Sequence, residues 1–252
     1  MFKALLERLR QGHRTFPFLK KQPELPERFR GRPVLDAAKC PDCDGACVSA
    51  CPTGAIIRNG NELTLDLGRC LFCAECSLAC PKGAIEFTRD YRLAVRKRED
   101  LVLRDNCLHL AEALDRQARK LFGRSLKLRQ VSAGGCSACE ADVNVLNTLT
   151  YDLGSYGIQF VASPRHADGL LVTGPVTANM RLALEKTYQA VPDPKIVIAV
   201  GACAISGGPY RDHPETSNGV DSVLPVDLYI PGCPPHPWTI LDGLLRLLGR
   251  IR

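Results

Sequence analysis

The chain has 252 residues, 45% hydrophobic, 24% charged and 6% aromatic, which excludes a disordered or collagen-like polymer and suffices for one large domain or two modest ones. Its outlier is thirteen cysteines, too many for an ordinary chain of a reducing compartment and too unevenly spread for the disulfide scaffold of a small secreted domain. The formal charge of +6 is uneven as well: residues 1–35 carry nine Lys/Arg against three Asp/Glu and residues 89–129 twelve against six, so the remainder is net acidic.

The amino-terminal MFKALLERLRQGHR lacks the apolar run and small-residue cleavage site of a secretory signal, and a reducing compartment is therefore expected. No stretch reaches the roughly 18 apolar residues of a membrane-spanning helix. Phe2, Leu5, Leu6 and Leu9 form an apolar stripe beside Lys3, Arg8 and Arg10, so residues 1–35 read as a basic amphipathic arm suited to an anionic membrane surface. Nucleic acid is not expected as a partner, because the basic segments carry neither base-stacking aromatics nor a nucleic-acid-binding motif. Pro17, Pro23, Pro26 and Pro33 make the end of this arm an extended strap.

From Cys40 to Glu86 the chain repeats itself at an offset of 29 residues, Cys51-Pro-Thr-Gly-Ala-Ile-Ile echoing Cys80-Pro-Lys-Gly-Ala-Ile-Glu. The second copy, Cys70-x-x-Cys73-x-x-Cys76-x-x-x-Cys80-Pro, is the bacterial 4Fe-4S run, in which three close thiolates grip one cluster and the fourth reaches the other. The first copy, Cys40-x-x-Cys43-x-x-x-Cys47-x-x-x-Cys51-Pro, has one extra residue between its second and third cysteines, read as a local loop insertion. Cross-ligation assigns Cys40, Cys43, Cys47 and Cys80 to one cluster and Cys51, Cys70, Cys73 and Cys76 to the other. A cubane asks for four soft anionic ligands, and the small residues Gly45, Ala46, Gly54, Ala74 and Gly83 let the backbone come close to it. Zinc is the bland alternative, but eight cysteines with two Cys-Pro ends exceed its needs.

Residues 99–122 place Leu103, Leu110, Leu114, Ala118 and Leu121 at helical spacing, predicting an amphipathic linker helix within residues 99–126. Cys107 reads as a buried small hydrophobe on that helix. Beyond Lys127, short β-rich runs at Ile158–Ala162, Leu170–Thr173, Lys195–Val200 and Asp227–Ile230 alternate with helical stretches at 138–149, 177–190 and 237–249. That alternation predicts a parallel sheet covered by helices, with a site at the carboxyl ends of its strands. Cys136, Cys139, Cys203 and Cys233 fall in turns of this half and complete a third 4Fe-4S set, Cys136 and Cys139 at a helix start whose dipole is expected to lower their pKa. Glu140, Asp142, Arg165, His166 and His236 are neighbouring polar groups that could tune such a cluster or relay protons, with structural roles as the default. There is no P-loop, and the VTGPVT and GACAISGG turns lack the spacing of a dinucleotide fingerprint.

With GGCSACE, VASPRHAD, LLVTGPVT, VGACAISGG and YIPGCPPHP, residues 127–248 resemble the small electron-transfer subunit of membrane-associated, energy-converting nickel-iron hydrogenases, formate hydrogenlyase included, and its homologue in respiratory complex I. Through RFRGRP, LGRCLFCAECSLACPKGAI and YRLAVRKREDL, residues 1–98 resemble the two-cluster ferredoxin subunit of the same complexes, so the chain looks like a fusion of two subunits. The resemblance implies an α+β ferredoxin-like domain with two 4Fe-4S clusters over residues 36–98, then an α/β flavodoxin-like domain with one cluster over residues 127–252. Its implied partners are a nickel-iron large subunit, membrane-arm subunits, and a formate dehydrogenase or ferredoxin as electron donor. The implied location is the inner face of the cytoplasmic membrane, and the chain itself would be an electron wire rather than a catalyst. Complex I homologues have adjacent cysteines at the proximal cluster, whereas Cys136-x-x-Cys139 is the hydrogenase-like arrangement. A complex I-like quinone or ion-translocating module is the alternative.

Overall fold

The computed structural model describes residues 2–12, 14–40, 44–59, 62–104 and 106–251. Helix α1 (Phe2–Gln11) buries none of its residues, and Phe2 and Leu9 are 81% and 76% exposed. The strap that follows instead lies on the body of the protein, where Phe16 and Phe18 each place their rings 5.1 Å from Trp238.

The repeat folds as two matched loops. Strand β1 (Pro33–Leu35) leads to α2 (Ala46–Ser49), β2 (Ile56–Asn59), β3 (Glu62–Asp66), α3 (Glu75–Ala79), β4 (Ile85–Phe87) and β5 (Val102–Leu103). Each short helix opens from a left-handed residue, Gly45 in one copy and Ala74 in the other, and Gly54 and Gly83 repeat that backbone state after each Cys-Pro. β1 pairs antiparallel with β4, and β3 lies between β2 and β5, also antiparallel. Cys40, Cys47, Cys70 and Cys76 are themselves buried in the core beside Leu35, Ile56, Leu65 and Ile85.

Of the helix predicted over residues 99–122, only α4 (Arg116–Phe122) is α-helical, with a single 3-10 turn at Arg98–Leu101 upstream of it. Between the two, long-range bonds replace a helical ladder: the Asn106 side chain accepts from Leu35 N and donates to Leu35 O, Ala111 N donates to Ala94 O at 2.7 Å, and Leu114 N to Leu247 O at 2.9 Å. Leu108, Ala111 and Leu114 are buried without a helix, so packing overrides periodicity. Asp115 then caps α4 by accepting from Gln117 N and Ala118 N. Cys107 is accordingly not on a helix, nor buried; it is exposed, with its Sγ 3.9 Å from His109 Nε2.

The second half contains β6 (Leu126–Ser132), α5 (Ala138–Val145), β7 (Ile158–Phe160), β8 (Gly169–Thr173), α6 (Ala178–Ala190), β9 (Ile196–Val200), α7 (Ala202–Ser206), β10 (Leu228–Ile230) and α8 (Pro237–Leu247). The strands form one parallel sheet in the order β10-β9-β8-β6-β7, which is the flavodoxin-like order read from the other edge. β8 and β9 are buried along their whole length, as a sheet covered on both faces requires. The predicted strands and helices of this half are present, while β6 had no counterpart among them; its Lys127, Arg129 and Gln130 interrupt the apolar run that marks its neighbours.

The two halves are directly joined. Val95 and Tyr229 exchange backbone hydrogen bonds at the free edge of β10, and Arg96 Nε donates to Asp227 O at 3.0 Å. Gly68 rests against α7: Ser206 Oγ donates to its carbonyl at 2.8 Å, and a Cβ there would lie 2.7 Å from Ile205.

Candidate iron–sulfur sites

In the second half the cysteines come from three strand ends. Cys136 lies in the loop after β6 and Cys139 in the first turn of α5; Cys203 lies in α7 after β9, and Cys233 in the loop after β10. All are on the carboxyl edge of the sheet, and the chain reverses its direction of winding between β6 and β8, where such sheets hold ligands. Gly201, at φ +92°, passes so close that a Cβ would sit 2.5 Å from Cys139 Sγ, and one on Gly208 would sit 2.9 Å from Cys203 Sγ. Only glycine leaves both sulfurs their space.

These thiols lie in one another's field. Burial pushes the Cys139 thiol up strongly, with Cys203, Glu140, Cys233 and Cys136 adding to the shift. Cys203 is pushed up to about 11 by burial and then by Cys233 and Cys136. The expected lowering at the start of α5 is therefore overturned for Cys139: desolvation and the crowding of like charges outweigh the dipole of an eight-residue helix. Three crowded thiols whose ionisation burial and mutual charge oppose, Cys139, Cys203 and Cys233, with Cys136 beside them, are a soft donor set of the kind that cationic iron would satisfy.

In the first half, Cys51, Cys70, Cys73 and Cys76 line one narrow, enclosed cavity with Pro52, Ala55, Leu65 and Phe87. Burial pushes Cys70 up to about 12, against the hydrogen bond from Phe72 N at 3.3 Å, and Cys76 up to about 11. Ala55 N donates to Cys51 Sγ at 3.2 Å and Ala84 N to Cys80 Sγ at 3.3 Å, the same contact in each copy. Such N–H to sulfur bonds are those that stabilise thiolates around iron. Of the remaining set, Cys40 and Cys47 are buried and Cys80 is partly so, while Cys47 acts electrostatically on Cys76. Cys43 lies outside the described residues, which resume at Asp44; the one-residue-longer spacer Asp44-Gly45-Ala46 leads into α2, with Asp44 Oδ1 accepting from Ala46 N at 3.1 Å. All the described cysteines are free thiols. Among the described residues no group of three His, Cys, Asp or Glu is placed to hold a single metal ion.

Residues 136–247 match the family of the NADH ubiquinone oxidoreductase 20 kDa subunit, and residues 38–85 match the 4Fe-4S dicluster domain. The chain is 42% identical over 135 residues to a probable membrane-bound hydrogenase subunit (mbhJ) of Pyrococcus furiosus, covering 54% of this chain and 81% of that protein. The chain belongs to the 20 kDa subunit family. It is also 45% identical over 130 residues to formate hydrogenlyase subunit 7 of Escherichia coli, covering 52% of this chain and about half (51%) of that protein. A NADH-quinone oxidoreductase subunit of Bacteroides thetaiotaomicron is 43% identical over 132 residues, covering 52% of this chain and 66% of that protein. The family and the dicluster domain together make this an iron–sulfur electron-transfer subunit of an oxidoreductase complex.

Around the 20 kDa-family site the polar neighbours divide. Glu140 Oε1 accepts from Ser132 Oγ and Thr173 Oγ1, both at 2.6 Å; burial works to raise its pKa, but these bonds hold it below the usual carboxylate range, so an anion stands beside Cys139 and Cys203. His236 caps α8, its Nδ1 accepting from Trp238 N at 3.2 Å, and burial lowers its pKa. Asp142 lines a cleft with Cys233, and its pKa is raised by burial. Arg165 and His166 are exposed on a single turn after β7, packed toward β6 and α6. Sequence reasoning missed two further residues. Asp66 forms a two-pronged ion pair with Arg98, at 2.7 and 2.9 Å, and takes a bond from Gly68 N, fixing the approach to Cys70. Arg30, in the RFRGRP segment, donates to the carbonyls of Phe72 and Cys73.

Proposed function

We propose that this chain is the electron-transfer subunit of a membrane-associated nickel-iron hydrogenase complex. Cys40, Cys43, Cys47 and Cys80 hold one 4Fe-4S cluster, Cys51, Cys70, Cys73 and Cys76 a second, and Cys136, Cys139, Cys203 and Cys233 a third, nearest a large subunit that carries the nickel-iron centre. Residues 36–98 form the dicluster domain and residues 127–252 the third-cluster domain, after the basic arm of residues 1–35. Bound, the clusters supply one-electron redox chemistry at potentials set by charge and hydrogen bonds around them.

The observation that carries this reading is the order of the sulfur sets in space. Cys47 acts on Cys76, linking first set to second, and Cys73 acts on Cys233, linking second to third. The Ser206–Gly68 hydrogen bond holds the Cys203 helix against the segment that enters Cys70. Water is kept from the middle of the series, where Cys70 and Cys76 are buried, while Cys136 and Cys233 are exposed and open toward a partner. The spacing Cys136-x-x-Cys139, the hydrogenase-like arrangement, favours hydrogen chemistry over the quinone reading. The similar identity to a NADH-quinone oxidoreductase subunit keeps the complex I-like module as the second reading. Membrane-arm subunits and a formate dehydrogenase or ferredoxin donor complete the proposed complex. The proposed place on the inner face of the cytoplasmic membrane is supported by α1, whose apolar stripe is exposed beside Lys3, Arg8 and Arg10. Among the described residues no helix is long and apolar enough to cross a membrane.

The test is anaerobic purification of the intact complex. About twelve irons per copy of this chain are expected from three four-iron clusters, with nickel in the partner and hydrogen evolution from the whole. Iron at that level without nickel or hydrogen evolution would transfer the assignment to the quinone reading, and a colourless chain silent in low-temperature paramagnetic resonance would overturn both.

A further inference from the structure

The strap spans both cluster-bearing halves, and its contacts fall at the place where they face each other. Phe18 stacks on Trp238 with 3° between the ring planes, and Phe29 meets His236 edge-on at 5.4 Å; both partners belong to α8 or its cap, directly after the Cys233 loop. One residue further on, Arg30 Nη1 donates to Cys73 O at 2.8 Å and to Phe72 O at 3.2 Å in the dicluster half. Arg30 also lines the cleft between the halves, together with Phe72, Cys233, His236 and Asp142.

We propose that Arg30 is the positioning residue for electron transfer between the second and third sulfur sets: it holds the Cys70–Cys73 loop toward the Cys233 loop, and its charge raises the reduction potential of the cluster on that loop. The inference rests on the cluster reading above. Reduction adds negative charge to a site already made of thiolates, so a fixed cation beside it stabilises the reduced state. Arginine suits the task because its guanidinium keeps its charge at every working pH while donating to two carbonyls at once. The same cleft brings Phe72 of the Cys70–Cys73 loop and Cys233 together, so the cation stands between the two loops. Asp142 is the opposing charge in the cleft, and His236 is held toward its neutral form by burial.

The experiment is a redox titration of the full reconstituted chain, followed by low-temperature paramagnetic resonance, with the second cluster's signal identified by its loss in Cys73→Ala. Arg30→Met is expected to move that signal to lower potential. The shift should shrink as salt is raised, since screening lengths fall from about 30 Å at 0.01 M to about 3 Å at 1 M. Arg30→Lys is expected to recover most of the shift, and Arg28→Met, which removes a charge from the same cleft but, among the described residues, no hydrogen bond to either cluster loop, is expected to move the potential clearly less than Arg30→Met does. Unchanged potential in Arg30→Met with full iron content, or an equal shift in Arg28→Met, would overturn the assignment. If Arg30→Met loses the cluster, retention in Arg30→Lys at wild-type potential supports the role of charge, and loss in both variants alike reduces Arg30 to a tether and overturns it. A wild-type chain without any four-iron signal sinks the cluster reading itself, whereas a normal wild-type signal with unshifted variants sinks only Arg30.

Discussion

The two halves gather sulfur in opposite ways. In the dicluster half, ligands come from short runs repeated in sequence, and buried cysteines are part of the core that holds the β2-β3-β5 sheet. In the α/β half, four cysteines spread from residue 136 to residue 233 meet only because the sheet aligns its strand ends, while the core on the α8 face of that sheet contains no cysteine. The expectation is that the dicluster half depends on its sites for stability, while the α/β half, whose other sheet face shares a core with Cys40, Cys47, Cys70 and Cys76, is held from the α8 side without them.

Stripping the iron with an oxidant and chelator should break the molecule along this line, with the largest effect of all. Hydrogen-exchange protection is expected to vanish in β2, β3 and β5 and to persist in β8 and β9, which pack on α8 through Leu171, Ile198, Val200, Leu241 and Leu244. Simultaneous loss in both halves would show that the contrast is false.

Asp66→Ala leaves Arg98 without its partner, three-quarters buried beside Gly68, and is expected to cost about 3–5 kcal/mol in denaturant unfolding of the iron-loaded chain. Because the same carboxylate fixes Gly68, weaker retention of the cluster proposed on Cys51, Cys70, Cys73 and Cys76 should accompany the lost stability. A change confined to stability would separate the loop from the site.

Trp238→Ala removes the ring on which Phe16, Phe18 and Tyr151 converge. A cost of about 3 kcal/mol is expected, the low end for a buried aromatic, as strap side chains can settle into the vacated space. The accompanying sign is faster tryptic cleavage at Lys20 and Lys21 with all three sulfur sets intact; unchanged cleavage would mean that the strap is held elsewhere.

The smallest effect concerns Asp90, whose carboxylate accepts three bonds from Arg92 at 2.8 to 3.1 Å. Burial works to raise its pKa, but these bonds and the charges of Arg92 and Arg32 hold it below the usual carboxylate range. The folded chain therefore gains stability from Asp90 above the ordinary value of about 3.9 and loses it as pH falls through the depressed one. Asp90→Asn should flatten stability against pH at the acid end alone; a difference of slope near neutrality would refute this sign.

Read from residues alone, the dicluster half was legible because its chemistry is written at fixed short spacing: Cys70, Cys73, Cys76 and Cys80 announce themselves, and Gly45 and Ala74 confirm the repeat in backbone conformation. The α/β alternation was legible too, since β8 and β9 are buried on both faces and read as unbroken apolar runs. The linker was not. Leu103, Leu110 and Leu114 keep helical spacing, yet their segment is spent on hydrogen bonds to Leu35, Ala94 and Leu247, partners far away in the chain.

Sequence by itself determined the kind of ligand and the periodicity of the elements, because thiolate chemistry and hydrophobic alternation are properties of neighbouring residues. Tertiary structure alone decided that Gly201 clears space for Cys139, that Asp66 latches Gly68 beside α7, and that Arg30 reaches Cys73, because each is a close approach between segments many residues apart. It also decided the direction in which the metal-free Cys139 pKa moves, upward, because burial and like charges gathered by folding act against the helix end that the local sequence supplies.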